Sequence, residues 1–292
     1  MREGTRNIRN GVLFISPWIV GFFVFIAYPI ASSLYYSLTR YNVIDAPKFI
    51  GLGNYITLLL TDTTFQTALV NTLYMIFAGT AVITVATIAI AIILNSRSVG
   101  GVSVFRVVFF IPTLIPLVIL CILWVWMLQP QTGLINTVLS YVGIQGPGWL
   151  ADPRLAKPAF IMMFLWTSGG AVIIYLAGLQ DIPVSLYEVA SLDGAGFFRR
   201  TFSITIPLLS PVILFNVVTY VIGIFQSFAE SYIITSGGPD NSTLFYSLYL
   251  YQNAFQYFKM GLACAMAWIL LIIAAGLIAF LLSMQRRFGY QQ

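Results

Sequence analysis

The sequence contains no histidine, which removes the usual general base of neutral-pH catalysis and the commonest metal ligand. Only 8% of its residues are charged, against about 25% in an ordinary soluble domain. So few charges cannot cover a water-facing surface, and a soluble globular fold is excluded. Cysteine is also scarce: Cys121 and Cys264 both sit inside apolar runs and read as buried thiols, not as a disulfide. No lysine stands in a Gly-x-x-x-x-Gly-Lys-Ser/Thr loop, so the chain has no phosphate-binding loop with which to hydrolyse ATP. No Cys/His/Asp cluster has metal spacing, a Ser/His/Asp set is impossible without histidine, and no metal or cofactor is expected. Acidic and basic residues are nearly missing from the apolar runs, whereas a proton-coupled carrier carries them inside the membrane. A chain that moves a solute uphill with this composition takes its free energy from another polypeptide.

What is present is 59% hydrophobic residue in 292, arranged in long unbroken runs. Outer-membrane strands alternate apolar and polar residues, so the runs predict an all-α, polytopic membrane protein. A spanning helix needs about 20 apolar residues, and six segments qualify: 12–38, 70–94, 107–128, 159–178, 206–233 and 261–282. The first is too long for a signal peptide, whose apolar region is about 7–15 residues. Prolines 17, 29, 112, 116, 207 and 211 fall inside these segments, and each permits a kink.

Arg2, Arg6, Arg9, Arg97, Arg106, Arg199, Arg200, Arg286 and Arg287 fall on one side of such a bundle. Arg40, Lys48, Arg154, Lys157 and Lys259 fall on the other. The basic bias places both termini in the cytosol, and with them residues 180–205. The net charge of +5 is read as orientation, not nucleic-acid binding. The opposite loops, about 39–69, 129–158 and 234–260, hold turn signals and many aromatics, as membrane interfaces do.

Residues 180–211 form the one polar, doubly basic segment of the second half. Pro183 suits a first helical turn, and Ser185 with Glu188 has capping-box spacing. Leu186, Val189 and Ala190 make a small apolar face. Gly194 and Gly196 can end the helix before Phe197, Phe198, Arg199 and Arg200. On spacing alone Glu188 is either a helix cap or a contact for something in the cytosol.

The run Glu188-Val189-Ala190, with Asp193-Gly194-Ala195 and then Ile204-Thr205-Ile206-Pro207, resembles the EAA loop of binding-protein-dependent ABC importer permeases. The departures are Val189 for the second alanine and Ile206 for leucine. The likeness extends over nearly the whole chain and narrows to the sugar-type (maltose-like) subunits. It is carried by Phe25-Ile26-Ala27-Tyr28-Pro29-Ile30, Phe49-Ile50-Gly51-Leu52-Gly53-Asn54-Tyr55, Asn71-Thr72, Phe109-Phe110-Ile111-Pro112, Gly133-Leu134-Ile135-Asn136, Leu179-Gln180-Asp181-Ile182-Pro183 and Thr235-Ser236-Gly237-Gly238-Pro239.

The resemblance implies a type I permease fold with six transmembrane helices and a non-catalytic role. It divides the chain into an N-terminal segment with the first helix and outer loop (1–69), a type-1 transmembrane domain (70–283) holding the coupling loop (180–207), and a cytosolic tail (284–292). It implies a prokaryotic cytoplasmic (inner) membrane, a second homologous permease, two ATP-binding cassette ATPase subunits, an extracytoplasmic solute-binding protein and a carbohydrate solute. Glu188 becomes the ionic contact to the ATPase, Val189, Ala190 and Ala195 the docking face beside Asp193, and Gly194 the bend. Trp166, Thr167, Ser168, Gly223, Ile224, Gln226, Ser227 and Glu230 become candidates for the solute path, with helix–helix packing as the plainer role for each. Glycerol phosphate or another polyol as solute, and a stand-alone carrier or channel, remain the alternatives.

Overall fold

The computed structural model describes residues 2–96 and 100–288; the side chains of residues 2–10, 13 and 285–288 lie outside that description. Arg97, the end of the 284–292 tail and the side chains of Arg2, Arg6, Arg9, Arg286 and Arg287 therefore lie outside the described residues.

Among the described residues, four continuous helices are long and apolar enough to cross a bilayer: Phe14–Ser37, Thr63–Leu94, Phe197–Phe225 and Met260–Met284. Two further pairs qualify as bent spans, Val102–Leu114 with Leu117–Met127 and Pro153–Trp166 with Gly169–Gln180, making six when each pair counts as one. The bend of 102° in the third span has a local cause. Ile115 precedes Pro116, and a residue before proline is driven out of the helical region into extended backbone, here ψ 126°. The fourth span bends by 53° without a proline at the break. Thr167 and Ser168 leave the helix, and their hydroxyls take the carbonyls of Phe164 and Leu165.

Elsewhere proline is absorbed. A turn of π-helix, Phe23–Ala27, precedes Pro29, and another, Thr201–Thr205, precedes Pro207. The wider turn shifts the carbonyl that a proline ring would strike one turn back. The fifth span ends at Phe225, where residues 12–38 and 261–282 of the sequence reading keep their ends within two residues. The expected 206–233 helix is thus corrected: Gln226 and Ser227 break it, and Ala229–Ile234 is a separate short helix. The second span begins at Thr63, seven residues before the expected Val70.

The described chain divides into two compact units. One holds residues 1–62 and 250–271. In it a short ladder pairs Thr39–Arg40 with Lys48–Phe49. The buried Asn54 amide donates to the Ser37 and Thr39 carbonyls at 2.8 and 2.9 Å, and Trp268 Nε1 donates to Ser33 Oγ at 3.1 Å.

The other unit holds residues 63–249 and 272–292. Its core joins the second, fourth and fifth spans through Ile88, Ala91, Leu94, Tyr175, Leu176, Leu179 and Leu209. Ile182, Tyr187, Ile204 and Ile206 pack against the same cluster, so the 180–205 segment is continuous with that core.

Candidate functional site

The 180–205 segment is an elbow of two helices, Val184–Leu192 and Phe197–Arg200. Pro183 is the N-cap of the first, with ψ 127°, and no side chain caps it. The capping-box expectation is therefore corrected. Proline begins the helix two residues earlier, Ser185 falls inside the first turn, and the Glu188 carboxylate is exposed with no bonded partner among the described residues.

The C-terminal end is closed by backbone alone. Ala195 N–H donates to the Ala190 carbonyl at 2.8 Å and Gly194 N–H to the Ser191 carbonyl at 3.1 Å. This crossed pair is a Schellman cap, which needs a left-handed residue at its turn. Gly194 supplies it with φ +75°. Ala190 and Ala195 are half-buried where the two ends meet, while Val189 is 59% and Leu192 88% exposed. Asp193 is exposed at the helix end.

Thr205, buried within the fifth span, ties to both elbow helices: Tyr187 Oη lies 3.0 Å from its Oγ1, and that hydroxyl reaches the Arg200 carbonyl at 3.5 Å. A groove of about 590 Å3 opens beside it, lined by Asn95, Gln180, Tyr187, Glu188, Ser191 and Arg200. Tyr187, to which the sequence assigned no role, thus joins the first elbow helix to the fifth span.

The eight solute-path candidates divide into two groups. Trp166 is 38% exposed and meets Trp124 edge-on at 5.9 Å; both line an apolar cleft of about 380 Å3 with Phe109, Pro112 and Ser168. Gln226 is exposed, and Gly223 is exposed with open space around its α-carbon. The others are buried or half-buried. Ile224 and Ser227 are buried, and the Thr167 and Ser168 hydroxyls are spent on their own helix. Ser227 Oγ donates to Glu230 Oε2 at 3.1 Å, so Glu230 is held at the break that ends the fifth span.

A polar network that the sequence did not disclose holds the 235–247 loop. The buried Asn71 amide donates to the carbonyls of Asn241 (2.7 Å) and Leu244 (3.3 Å), and its oxygen accepts from Lys157 Nζ at 3.0 Å. Lys157 also sits 5.0 Å over the Tyr74 ring. Thr72 Oγ1 accepts from Tyr246 N–H, Ser231 Oγ donates to the Thr243 carbonyl, and Ser247 Oγ donates to the Phe225 carbonyl. The signal available was Asn71-Thr72, two polar residues at the head of an apolar run.

Spans of this number among the described residues, two of them broken, with an exposed elbow continuous with the core, describe a multi-pass membrane protein. Residues 88–289 match the model of the family described as the binding-protein-dependent transport system inner membrane component. The chain belongs to that family, and it is a transport component of the inner membrane with a type I permease fold. It is 41% identical over 286 residues to the probable ABC transporter permease protein YesP of Bacillus subtilis, covering 95% of this chain and 92% of that one. It is 37% identical to the lactose transport system permease protein LacF of Rhizobium radiobacter, covering 91% and 90%. Its fold matches a chain of a bacterial alginate ABC transporter, crystallised with an alginate pentasaccharide-bound periplasmic protein. The TM-score is 0.82 at 25% identity, over 98% of each chain.

Proposed function

We propose that this chain is the permease subunit of an ATP-driven importer whose solute is a carbohydrate. In this reading it is worked from the cytosolic side through residues 184–205. The family and the sugar-transport names of its relatives support the solute class. The single observation that carries the mechanism is the elbow itself. It offers an exposed carboxylate at Glu188 and exposed Val189 and Leu192, on a helix begun at Pro183 and closed by the Gly194 cap.

A short helix fixed at both ends passes on a rigid-body push. The Tyr187–Thr205 bond and the packing of Ile182, Ile204 and Ile206 carry that push into the second, fourth and fifth spans. An ATPase subunit grips the elbow, with a cation opposite Glu188 and the apolar side chains seated in a cleft. Two such subunits, a second homologous permease and an extracytoplasmic solute-binding protein complete the assembly. Both termini and the elbow face the cytosol, following the basic bias. Of the path candidates, Trp166 and Gln226 meet the solute, since sugars are held by aromatic faces and amide groups.

The test is the composition and activity of the complex that co-purifies with the full chain. The expected result is an ATPase pair and a second permease, with ATP hydrolysis stimulated by the loaded binding protein. Accumulation of solute by the isolated chain in liposomes, without nucleotide, would overturn the reading.

A further inference from the structure

Residues 107–151 contain no charged side chain, although residues 129–152 connect the third and fourth spans and lie outside both. A connection facing water or a charged protein surface has no reason to avoid charge over such a length. Within it, Leu134–Tyr141 forms a two-turn helix. Its face is the reverse of a soluble helix's.

The inward residue is polar. Asn136 is buried, its amide donates to the Pro130 and Pro147 carbonyls at 3.0 Å each, and its oxygen accepts from Trp149 Nε1 at 2.7 Å. Gly146 lies so close that a β-carbon there would fall 2.1 Å from Asn136, so the loop closes over the asparagine only with glycine. The outward face is apolar: Leu134, Val138 and Tyr141, at i, i+4 and i+7, are all exposed, and Val142 and Ile144 continue it. Thr137 and Ser140 flank that face, yet their hydroxyls donate to the Gly133 and Thr137 carbonyls and need no solvent. Hydroxyls returned to their own helix are what a hydrocarbon surrounding requires of serine and threonine.

From this arrangement we propose that Leu134–Tyr141 is an in-plane membrane helix. It lies in the interface of the leaflet opposite the 184–205 elbow, with Leu134, Val138 and Tyr141 seated among acyl chains and Trp149 near the headgroups. The surrounding partner is neutral lipid, because the segment offers no basic side chain to an anionic headgroup. The asparagine pins the helix to its loop, so the third and fourth spans are held at a fixed depth on that side. The inference does not depend on the identity of the solute or of the ATPase.

The test places a fluorophore on Val138→Cys and, separately, on Tyr141→Cys in the full chain in nanodiscs. The unmodified chain is the labelling control, because Cys121 is buried and Cys264 half-buried. Both positions are exposed, so neither change disturbs a packed core. Quenching by doxyl-labelled lipid several-fold above quenching by iodide is the expected result, at both sites and unchanged when solute-binding protein is added. Iodide dominating, or both quenchers failing, would overturn the proposal. So would protection that develops only with the binding protein, since the face would then be a protein-docking surface.

Discussion

Gly194 isolates the backbone contribution to the elbow. Its φ of +75° is left-handed, and no atom lies within 4 Å of where a β-carbon would stand. A substitution there acts through conformation alone and not through a clash with a neighbour. Alanine in this region costs about 1–2 kcal/mol, offset by roughly 0.4–1 kcal/mol from a stiffer unfolded chain. The net of about 1 kcal/mol corresponds to roughly a fivefold fall in the ratio of formed to broken cap. Valine is worse, because a β-branched side chain at positive φ is a true outlier, and asparagine is tolerated nearly as well as glycine. The coupling order is therefore Gly, then Asn close behind, then Ala, then Val. Two assays check it: hydrogen exchange at the Ala195 amide, which the cap protects, and binding-protein-stimulated ATPase activity of the assembled complex. If Ala and Val match the native chain in both, or Asn fails as Val does, the cap does not set the elbow and the reasoning is refuted.

Tyr187→Phe removes the hydroxyl bond between the first elbow helix and Thr205 and is expected to cost about 1 kcal/mol, read as a lowered unfolding midpoint with weakened stimulation of ATPase. Asn71→Leu strips partners from two carbonyls and the Lys157 ammonium; at about 1–3 kcal/mol for each buried group left unpaired, amide exchange across residues 236–246 should rise steeply while the elbow stays protected. On the solute path, Trp166→Ala and Gln226→Ala should raise the half-saturating solute concentration for transport. Thr167→Ala and Ser168→Ala should leave it unchanged, because those hydroxyls are committed to the Phe164 and Leu165 carbonyls.

Membrane character, the approximate spans and the elbow were legible because each is written in consecutive residues: absence of charge, apolar runs, and one polar stretch with glycines. Pro116 was one of six prolines that each permit a kink, and nothing local singled it out, since Tyr28 and Ile206 also precede prolines and stay helical. The break at Thr167–Ser168 was not legible either, because hydroxyl residues sit comfortably within membrane helices until their side chains take carbonyls from the preceding turn. The end of the fifth span at Phe225 was hidden because Phe228 and Ala229 keep the run apolar past Gln226 and Ser227. Ser185 misled because a capping box is also set by what precedes it, and Pro183 starts the helix first. The Asn71–Lys157 tie joins residues far apart in sequence, and no local pattern contains it.

Charge reversal at Glu188 tests the central claim most directly. Truncating one partner of a buried interfacial ion pair costs about 2–5 kcal/mol, at roughly 1.4 kcal/mol per tenfold in affinity. The exposed side chain plays no part in the fold itself. Glu188→Arg should therefore yield a chain that inserts and is as stable as the native one, yet loses ATPase stimulation and solute uptake together by more than tenfold. Native uptake and native stimulation in a complex bearing Glu188→Arg would contradict the account.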